Sequence, residues 1–241
     1  MPEPTQILAA AFQRAVASLS ESLVRNERIE QLVHNVAHNL SNRAGVRLLM
    51  ACLLAKAHRP QVDVRKPYTE IGGDDSYSGR SYDERYITPF IMQHDLPCNN
   101  TTAFLTPALR NRNVTLTPDL DLVGRPPQLY QAVLELLDDV HRGRVEADDL
   151  LAETVRHLLT LRNERQQRIH SLLAELKSAA GATPLAAEDI ITLIHQHMSL
   201  KGTSRLPVLI VAAAYRVAEQ RLGERAIGLH SHNAADLQTG A

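Results

Sequence analysis

The chain has 241 residues, of which 44% are hydrophobic and 22% charged, and its formal net charge is −1. This composition is that of a globular protein with a sizeable core, and the near-zero charge excludes binding of nucleic acid through an overall positive field. Only 4% of the residues are aromatic and none is Trp, so the core must be built from aliphatic side chains, which favours helices.

No apolar run in the sequence is long enough to cross a membrane. The longest, residues 206–215, is interrupted by Pro207, and the N-terminus lacks a secretory signal pattern. We therefore predict a cytoplasmic protein without membrane contact. The two cysteines, Cys52 and Cys98, are too few for a disulfide framework and wrongly spaced for a metal knuckle, so both are predicted to be free thiols.

Three helices are predicted in the first quarter of the chain. Apolar residues at helical spacing predict the first over residues 5–24, and Asn26 is a suitable N-cap for the second, which should end near Gly45. The third, over about residues 43–58, is apolar on nearly all sides. We therefore expect it to lie buried at the centre of the fold, and Pro60 should end it.

The next segment lacks a sustained apolar period. Residues 61–79 are predicted to be an extended loop that contains a flexible turn at 71–75. Ser81 and Glu84 have the spacing of a capping box, which predicts that a helix starts there, and Pro89 is expected to bend it.

Irregular structure is predicted again over residues 95–118, with a short strand at 114–117. After Arg125, two prolines suit the first turn of a helix, whose apolar face continues to Gly143. Loops of this length inside a compact domain tend to be functional or disordered, so the segments around the predicted capping box are the first place to look for a site.

A long helix is predicted over residues 146–179. Its middle, residues 162–168, is polar on all sides, so either one helix emerges into solvent there or two helices meet near Asn163. Two further helices are predicted downstream, over residues 186–200 and 206–222. The predicted fold is mainly α, a multi-helix orthogonal bundle with one long irregular polar segment.

Candidate catalytic patterns have simpler explanations. His34 and His38 have the spacing of a zinc-protease pair, but the glutamate that would act as general base is missing, which favours a structural role. A Pro-Asp pair ending at Asp119 matches half of a nuclease signature, but the matching Glu175 and Lys177 lie far downstream in a predicted helix. We therefore predict no catalytic residues and no metal ligands in this chain.

An acidic group leaves one alternative open. Turn and capping roles account for most of its members, but a cation site among them is not excluded. The group comprises Asp74, Asp75, Asp83 and Glu84.

Residues 68–113 concentrate arginine, asparagine, threonine and tyrosine, the side chains that bind phosphates and base edges. Some of them flank the predicted helix start, where free amides attract phosphate. The candidate DNA-binding residues are Arg80, Tyr82, Arg85, Asn99, Asn100, Thr101, Arg110, Asn111 and Arg112. The alternatives are that these groups satisfy one another and the loop backbone, or that the chain is a helical protein-interaction module that uses residues 162–168 or an exposed loop.

Four stretches of the sequence resemble the SacI-like group of type II restriction endonucleases. They are RKPYT at 65–69, DSYSGRSYDER at 75–85, residues 96–113, and HNAADLQTG at 232–240. The resemblance covers the whole chain, as the N-terminal helical part of a longer enzyme.

The resemblance implies double-stranded DNA as partner and a role in restriction-modification. Residues 1–222 would be the DNA-recognition domain, and 223–241 a linker toward a nuclease part that this chain lacks. Magnesium and the Pro-Asp/Glu-x-Lys residues are expected in that later part, so the chain alone should bind DNA without cleaving it. A homodimer remains open.

Overall fold

The computed structural model describes residues 2–39, 41–99, 101–110, 112–122, 124, 126–180, 188, 191, 192 and 195. The helices are α1 (Pro4–Ala17), α2 (Glu27–Ala37), α3 (Ala44–His58), α4 (Gly79–Tyr82), α5 (Thr88–Gln93), α6 (Pro127–His141) and α7 (Ala147–Ala180). A π-helical turn, Asp83–Ile87, joins α4 to α5, and single 3-10 turns occupy Thr69–Ile71 and Ala103–Leu105. The prediction of a mainly α fold is confirmed.

The chain divides into two compact units, residues 1–168 and 169–241. The candidate DNA-binding residues that the structure describes all belong to the first unit. The predicted boundary at 222/223 and the linker at 223–241 lie outside the described residues, as do nearly all of the two helices predicted at 186–200 and 206–222. Within the described part of the chain, no helix is both long and apolar enough to cross a bilayer.

Helix α3 lies at the centre of the first unit, as its sequence predicts. All residues from Ala44 to Ala55 are buried, and α1, α2, α4, α6, the π turn and the 3-10 turn at 103–105 pack against it. Because the helix is apolar on nearly every side, it is stable only when enclosed by other elements. Arg47 is the exception in this apolar row, and it determines how the neighbouring loops are held.

The predicted ends of the early helices are partly right. Asn26 caps α2, since its side-chain oxygen accepts the amides of Arg28 and Ile29 at 3.0 and 3.3 Å. Helix α1, however, ends at Ala17 and not near residue 24. The following residues leave the helical path and place the amide of Leu23 2.8 Å from the carboxylate of Glu153, a distant contact that helical spacing does not reveal.

The predicted capping box is wrong. Helix α4 starts at Gly79, and its cap is Ser78, whose hydroxyl accepts the amide of Ser81 at 3.2 Å. The Glu84 carboxylate pairs with Arg80 at 2.7 Å and does not reach back to the Ser81 amide. The π turn then ends just before Thr88 and Pro89, where a proline has no amide hydrogen for a regular helical bond.

The long loop before α4 is irregular, as predicted, but it is also part of the core. Val62, Val64 and Tyr77 are buried within it. The predicted flexible turn is tied down at Asp75, whose carbonyl accepts the amide of Asp63 at 2.9 Å. The loop is therefore held by its own buried side chains and not only by its ends.

The strand predicted at 114–117 does not form, and no strand occurs among the described residues. Leu116 is buried and donates one backbone hydrogen bond to Arg65 at 2.8 Å. The segment around Arg65 is itself folded into a turn, because the Lys66 amide bonds to the Asp63 carbonyl. The segment therefore offers Leu116 a single carbonyl group, whereas a β ladder needs a regular series of backbone amides and carbonyls.

The two later helices begin as predicted, and one open question is settled. Pro126 and Pro127 start α6, where the first turn tolerates a missing amide.

Helix α7 runs without a break through the polar stretch, so residues 162–168 belong to one helix and not to a junction of two. Residues 164–171 are exposed along it.

Candidate nucleic-acid interface

Two of the predicted DNA-binding segments are anchored to the same pair of residues, Pro67 and Tyr68. The amide of Gly79 donates to the Pro67 carbonyl at 2.9 Å, and the Tyr68 hydroxyl donates to the Leu109 carbonyl at 3.0 Å. The residue that follows each anchored position is an arginine. Arg80 and Arg110 therefore emerge from loops that lie against one common strip of chain.

Two segments approach each other so closely at Gly79 that there is no room for a side chain. A Cβ atom at this position would lie 2.4 Å from the Phe104 ring and 2.8 Å from the Pro67 side chain, both far inside contact distance. The Phe104 ring packs edge-on against Tyr68, with ring centroids 5.9 Å apart. The start of α4 and the loop after residue 102 are thus pressed against each other, which fixes the spacing of the arginines they present.

A buried ion pair fixes the same region from inside. The side chains of Arg47 on α3 and Asp83 in the π turn are 1% and 0% exposed, and the Arg47 Nε atom lies 2.6 Å from Asp83 Oδ1. The second carboxylate oxygen accepts the Thr102 hydroxyl and the Ala103 amide, the latter at 3.1 Å. Asp83 therefore ties the π turn both to the central helix and to the loop at 102–103.

Arg47 uses its other nitrogens to hold the neighbouring segments. Its Nη1 donates to the Asn99 carbonyl at 2.6 Å, and its Nη2 donates to the Thr88 hydroxyl. Burial raises the pKa of the Asp83 carboxyl, while Arg47, the Thr102 hydroxyl and the amide at 103 act in the opposite direction. The paired charges thus join α3, the π turn, α5 and the loop at 99–103.

Of the four arginines among the predicted residues, three are exposed and one is half-buried. Arg85 and Arg110 are exposed and form no ion pair within the described part of the chain, whereas Arg80 is exposed and paired with Glu84. Arg112 is half-buried close to Tyr68. Burial raises the pKa of the Tyr68 phenol, and the positive charge of Arg112 opposes that rise.

The remaining predicted residues differ in accessibility. Thr101 is exposed, while Asn99 is half-buried and its carbonyl is held by Arg47. The Tyr82 hydroxyl lies 2.7 Å from His58 Nδ1, and its ring packs among Tyr77 and Tyr86. Tyr82 is thus already engaged by its neighbours. Asn100 and Asn111 lie outside the described residues.

Sequence reasoning missed two residues in this region. Arg59 lies close enough to Tyr82 for its charge to oppose the effect of burial on the Tyr82 pKa. Arg47 holds the loops, and its signal in the sequence is a single arginine near the start of a helix that is otherwise apolar up to Ala55. A buried charge in such a row requires a partner, and the partner here is Asp83.

The acidic group that left a cation site open is separated by its ion pairs. Asp83 is buried against Arg47, Glu84 pairs with Arg80, and Asp75 pairs with Lys66 at 2.7 Å. Among the described residues, no group of three or more potential metal ligands has a suitable arrangement. Three of the four acidic side chains therefore neutralise particular basic ones.

A cavity of about 560 Å³ lies elsewhere, between α2, α6 and residues 118–122. Asp119, Asp121 and Glu135 contribute carboxylates to its lining. This lining repels phosphate, so the cavity does not extend the candidate interface. Glu175 and Lys177, the distant half of the nuclease-like pattern, have side chains outside the described part.

Both cysteines are free thiols, as predicted. Cys52 is buried in α3, and Cys98 is half-buried in the loop before Asn99. Burial raises the pKa of each thiol to about 12. Neither is therefore a ready nucleophile at neutral pH.

His34 and His38 belong to a polar cluster between α2 and α7. Their rings stack with centroids 4.0 Å apart, and His38 Nε2 lies 3.2 Å from His157 Nδ1. The other nitrogen of His157 lies 3.2 Å from the buried Glu153, which also binds Arg156 at 2.5 Å. The cluster joins the two helices.

This cluster shifts the ionisation of two of its members. Burial lowers the pKa of His38 to about 4, with further lowering by His34, His157, Arg43 and Arg156. The pKa of Glu153 is lowered to about 2, because hydrogen bonds from Arg156, His157 and the Leu23 amide outweigh the opposing effect of burial.

The Arg47–Asp83 pair gives a prediction about stability. Asp83→Asn leaves a buried guanidinium without its counter-charge, so we expect the free energy of unfolding to fall by about 3–5 kcal/mol. Urea unfolding followed by circular dichroism measures it. Glu84→Gln removes the neighbouring exposed carboxylate and should change stability by less than about 1 kcal/mol. A loss for Asp83→Asn no larger than that of the control would contradict the structural role.

The histidine cluster gives a prediction about pH. The pKa of His38 is 6.5 in the unfolded chain and about 4 in the folded one, so acid favours unfolding. Above pH 6.5, His38 is neutral in both states. As the pH falls from 6.5 toward 4, the unfolded chain binds a proton that the folded chain does not, so the free energy of unfolding declines. His38→Gln should therefore flatten the dependence of unfolding free energy on pH between about 7 and 5, by at most about 1.4 kcal/mol per pH unit. The exposed His170→Gln serves as control, and equal slopes for all three proteins would refute the assignment.

Comparison of the chain with models of known families, with curated proteins and with solved structures found no match. The likeness to restriction endonucleases thus stays a prediction made from four stretches of sequence. A functional assignment has to come from the geometry of the arginines and of the loops that hold them.

Proposed function

We propose that residues 1–168 bind double-stranded DNA through the arginines around Pro67 and Tyr68, as the recognition part of a type II restriction endonuclease. The observation that supports this most strongly is the pair Arg85 and Arg110. Both residues are exposed and neither forms an ion pair within the described residues. Arg110 directly follows Leu109, which is anchored on Tyr68, and Arg85 lies in the π turn that follows α4.

About half of the arginines described in this unit have carboxylate partners. Arginines elsewhere in this unit are commonly neutralised, and the ion-paired ones include Arg14, Arg28, Arg65, Arg142, Arg144 and Arg156. The arginines that form no ion pair with any described residue include four near the candidate interface, Arg59, Arg85, Arg110 and Arg112, and five others, Arg25, Arg43, Arg162, Arg165 and Arg168. Because the net charge of the chain is −1, a phosphate backbone would have to be attracted by a local group of unpaired positive charges such as the four near the candidate interface.

The chemistry of the surface suits DNA. A guanidinium donates two parallel hydrogen bonds to a phosphate or to the major-groove edge of guanine. Thr101 adds a small exposed side chain of the type that bonds to phosphates. The loops that present these groups are held by buried hydrogen bonds, so little conformational entropy would be lost on binding.

Cleavage is not proposed for this chain alone. Asp83, Asp75 and Glu84 are engaged by Arg47, Lys66 and Arg80, and no group of three or more potential ligands in the described part of the chain is arranged to hold a metal ion. In the proposed enzyme, magnesium and the cutting residues belong to the later nuclease part. The recognition part would supply position and sequence preference.

A second candidate function is protein docking through α7. Residues 164–171 are exposed on this helix, and Ile169 is 45% exposed among polar neighbours. An apolar contact there would change little with salt, whereas phosphate binding weakens steeply as salt rises. Salt dependence of any partner's affinity therefore separates the two functions.

Substitution of the two unpaired arginines tests the proposal. Arg85→Ala and Arg110→Ala should each weaken binding of a labelled duplex with a randomised core by about 5- to 150-fold, which corresponds to about 1–3 kcal/mol. Fluorescence anisotropy at low ionic strength measures the change.

The matched control is Arg142→Ala, which removes an exposed arginine that is paired with Asp138 at 2.7 Å. It should bind the duplex as the wild type does. The proposal fails if the wild type does not bind duplex DNA, or if both test variants bind as tightly as the control.

A further inference from the structure

A second group of arginines surrounds the turn that follows α5, residues 94–98. Arg162 on α7 donates to the His94 carbonyl at 2.9 Å, and Arg43, just before α3, donates to the Pro97 carbonyl. The turn is also closed by its own backbone, since the Leu96 amide bonds to the Ile91 carbonyl at 2.9 Å. Two arginines from distant parts of the chain therefore hold one short turn.

A third arginine approaches this pair without neutralising it. The charge of Arg165 adds to the effect of burial in lowering the pKa of Arg43. Burial and the charge of Arg162 likewise lower the pKa of His94, whose ring stacks on Phe12 with centroids 3.9 Å apart. Arg165 follows Arg162 by three residues on α7, so the two side chains are neighbours on one face of that helix, beside the turn that Arg43 also holds.

No carboxylate in the described part of the chain forms an ion pair with Arg43, Arg162 or Arg165. Asp95 lies in the turn itself and Glu164 on the same helix, yet neither comes within ion-pair distance of them. Each guanidinium has five N–H donors, and the bonds to carbonyl oxygens and to Asn163 use only some of them.

Holding the turn explains Arg43 and Arg162, but it does not explain Arg165. Arg165 is exposed and forms no side-chain hydrogen bond among the described residues. Clustered positive charge of this kind favours a bound anion, and the planar forks of arginine match the oxygens of a phosphate.

We propose that Arg43, Arg162 and Arg165 form a phosphate-binding site beside the turn at 94–98, and that it takes a backbone phosphate of the bound DNA. This inference rests on the proposed function and extends its surface. The turn continues directly into Asn99, whose carbonyl Arg47 holds, and then into the exposed Thr101. The site therefore lies along the same segment of chain as the predicted base-contacting loops.

The test uses Arg165→Gln, because this exposed side chain holds no part of the turn, together with Arg165→Glu and the charge-preserving Arg165→Lys. For the randomised duplex, the logarithm of the binding constant is measured against the logarithm of salt concentration. Loss of one phosphate contact should make the slope shallower by about one. Arg165→Lys should keep the wild-type slope, and so should Arg142→Gln as the matched control.

A second arm uses inorganic tripolyphosphate as the probe, with isothermal titration calorimetry on the same proteins. We expect the wild type to bind it and Arg165→Glu to lose that binding, which would support the site through a free polyphosphate even without DNA. Circular dichroism verifies that each variant is folded.

The two arms separate failure of this inference from failure of the proposed function. If the wild type binds duplex but Arg165→Gln and Arg165→Glu keep its salt slope, the phosphate site is wrong and the proposed function stands. If the wild type binds no duplex, the proposed function fails. In that case an anion site at Arg165 is supported only if the wild type binds tripolyphosphate and Arg165→Glu does not. Absence of binding in both arms overturns the site.

Discussion

The buried pair of Arg47 and Asp83 is the constraint on which the surface of the first unit depends. Removing both charges from water costs several kcal/mol, and the cost is offset only if the remaining donors and acceptors are also satisfied. Here both carboxylate oxygens and three guanidinium nitrogens are engaged. Because the partners lie in α3, the π turn, α5 and the loop at 99–103, these elements have one relative arrangement that satisfies all the bonds.

The same constraint explains why long irregular segments present defined side chains. The π turn that contains Asp83 lies between Arg80 and α5 in the chain and itself carries Arg85, and the loop that it binds contains Thr101. A second set of anchors, from Pro67 to Gly79 and from Tyr68 to Leu109, holds the outer ends of these segments. The candidate interface is thus irregular in backbone but fixed in position.

The sequence predicted the features that depend on local patterns. Asn26 as a cap, the buried α3 and the proline start of α6 follow from residues close together in the chain, and the structure confirms them. The errors arose where another partner competes with the expected one. Glu84 fits a capping box, but Arg80 binds it in the folded chain, and Leu23 leaves the helical pattern because Glu153 binds its amide.

The candidate site was only partly visible for the same reason. Exposed arginines in a polar segment are found by reading residue types, and Arg85 and Arg110 were found in that way. Arg43, Arg162 and Arg47 were not, because their relevance comes from carbonyl groups that are distant in sequence. Tyr82 illustrates the opposite difficulty. Its residue type suggested DNA binding, but its hydroxyl group is already hydrogen-bonded to His58.

Hydrogen exchange of the folded chain, measured by mass spectrometry with and without a saturating DNA duplex, tests the central claim most directly. Binding at the proposed surface should slow exchange at residues 79–85 and 94–112, and should leave α6 unchanged. Protection confined to residues 164–171, or to the acidic cavity at 118–122, would contradict the account.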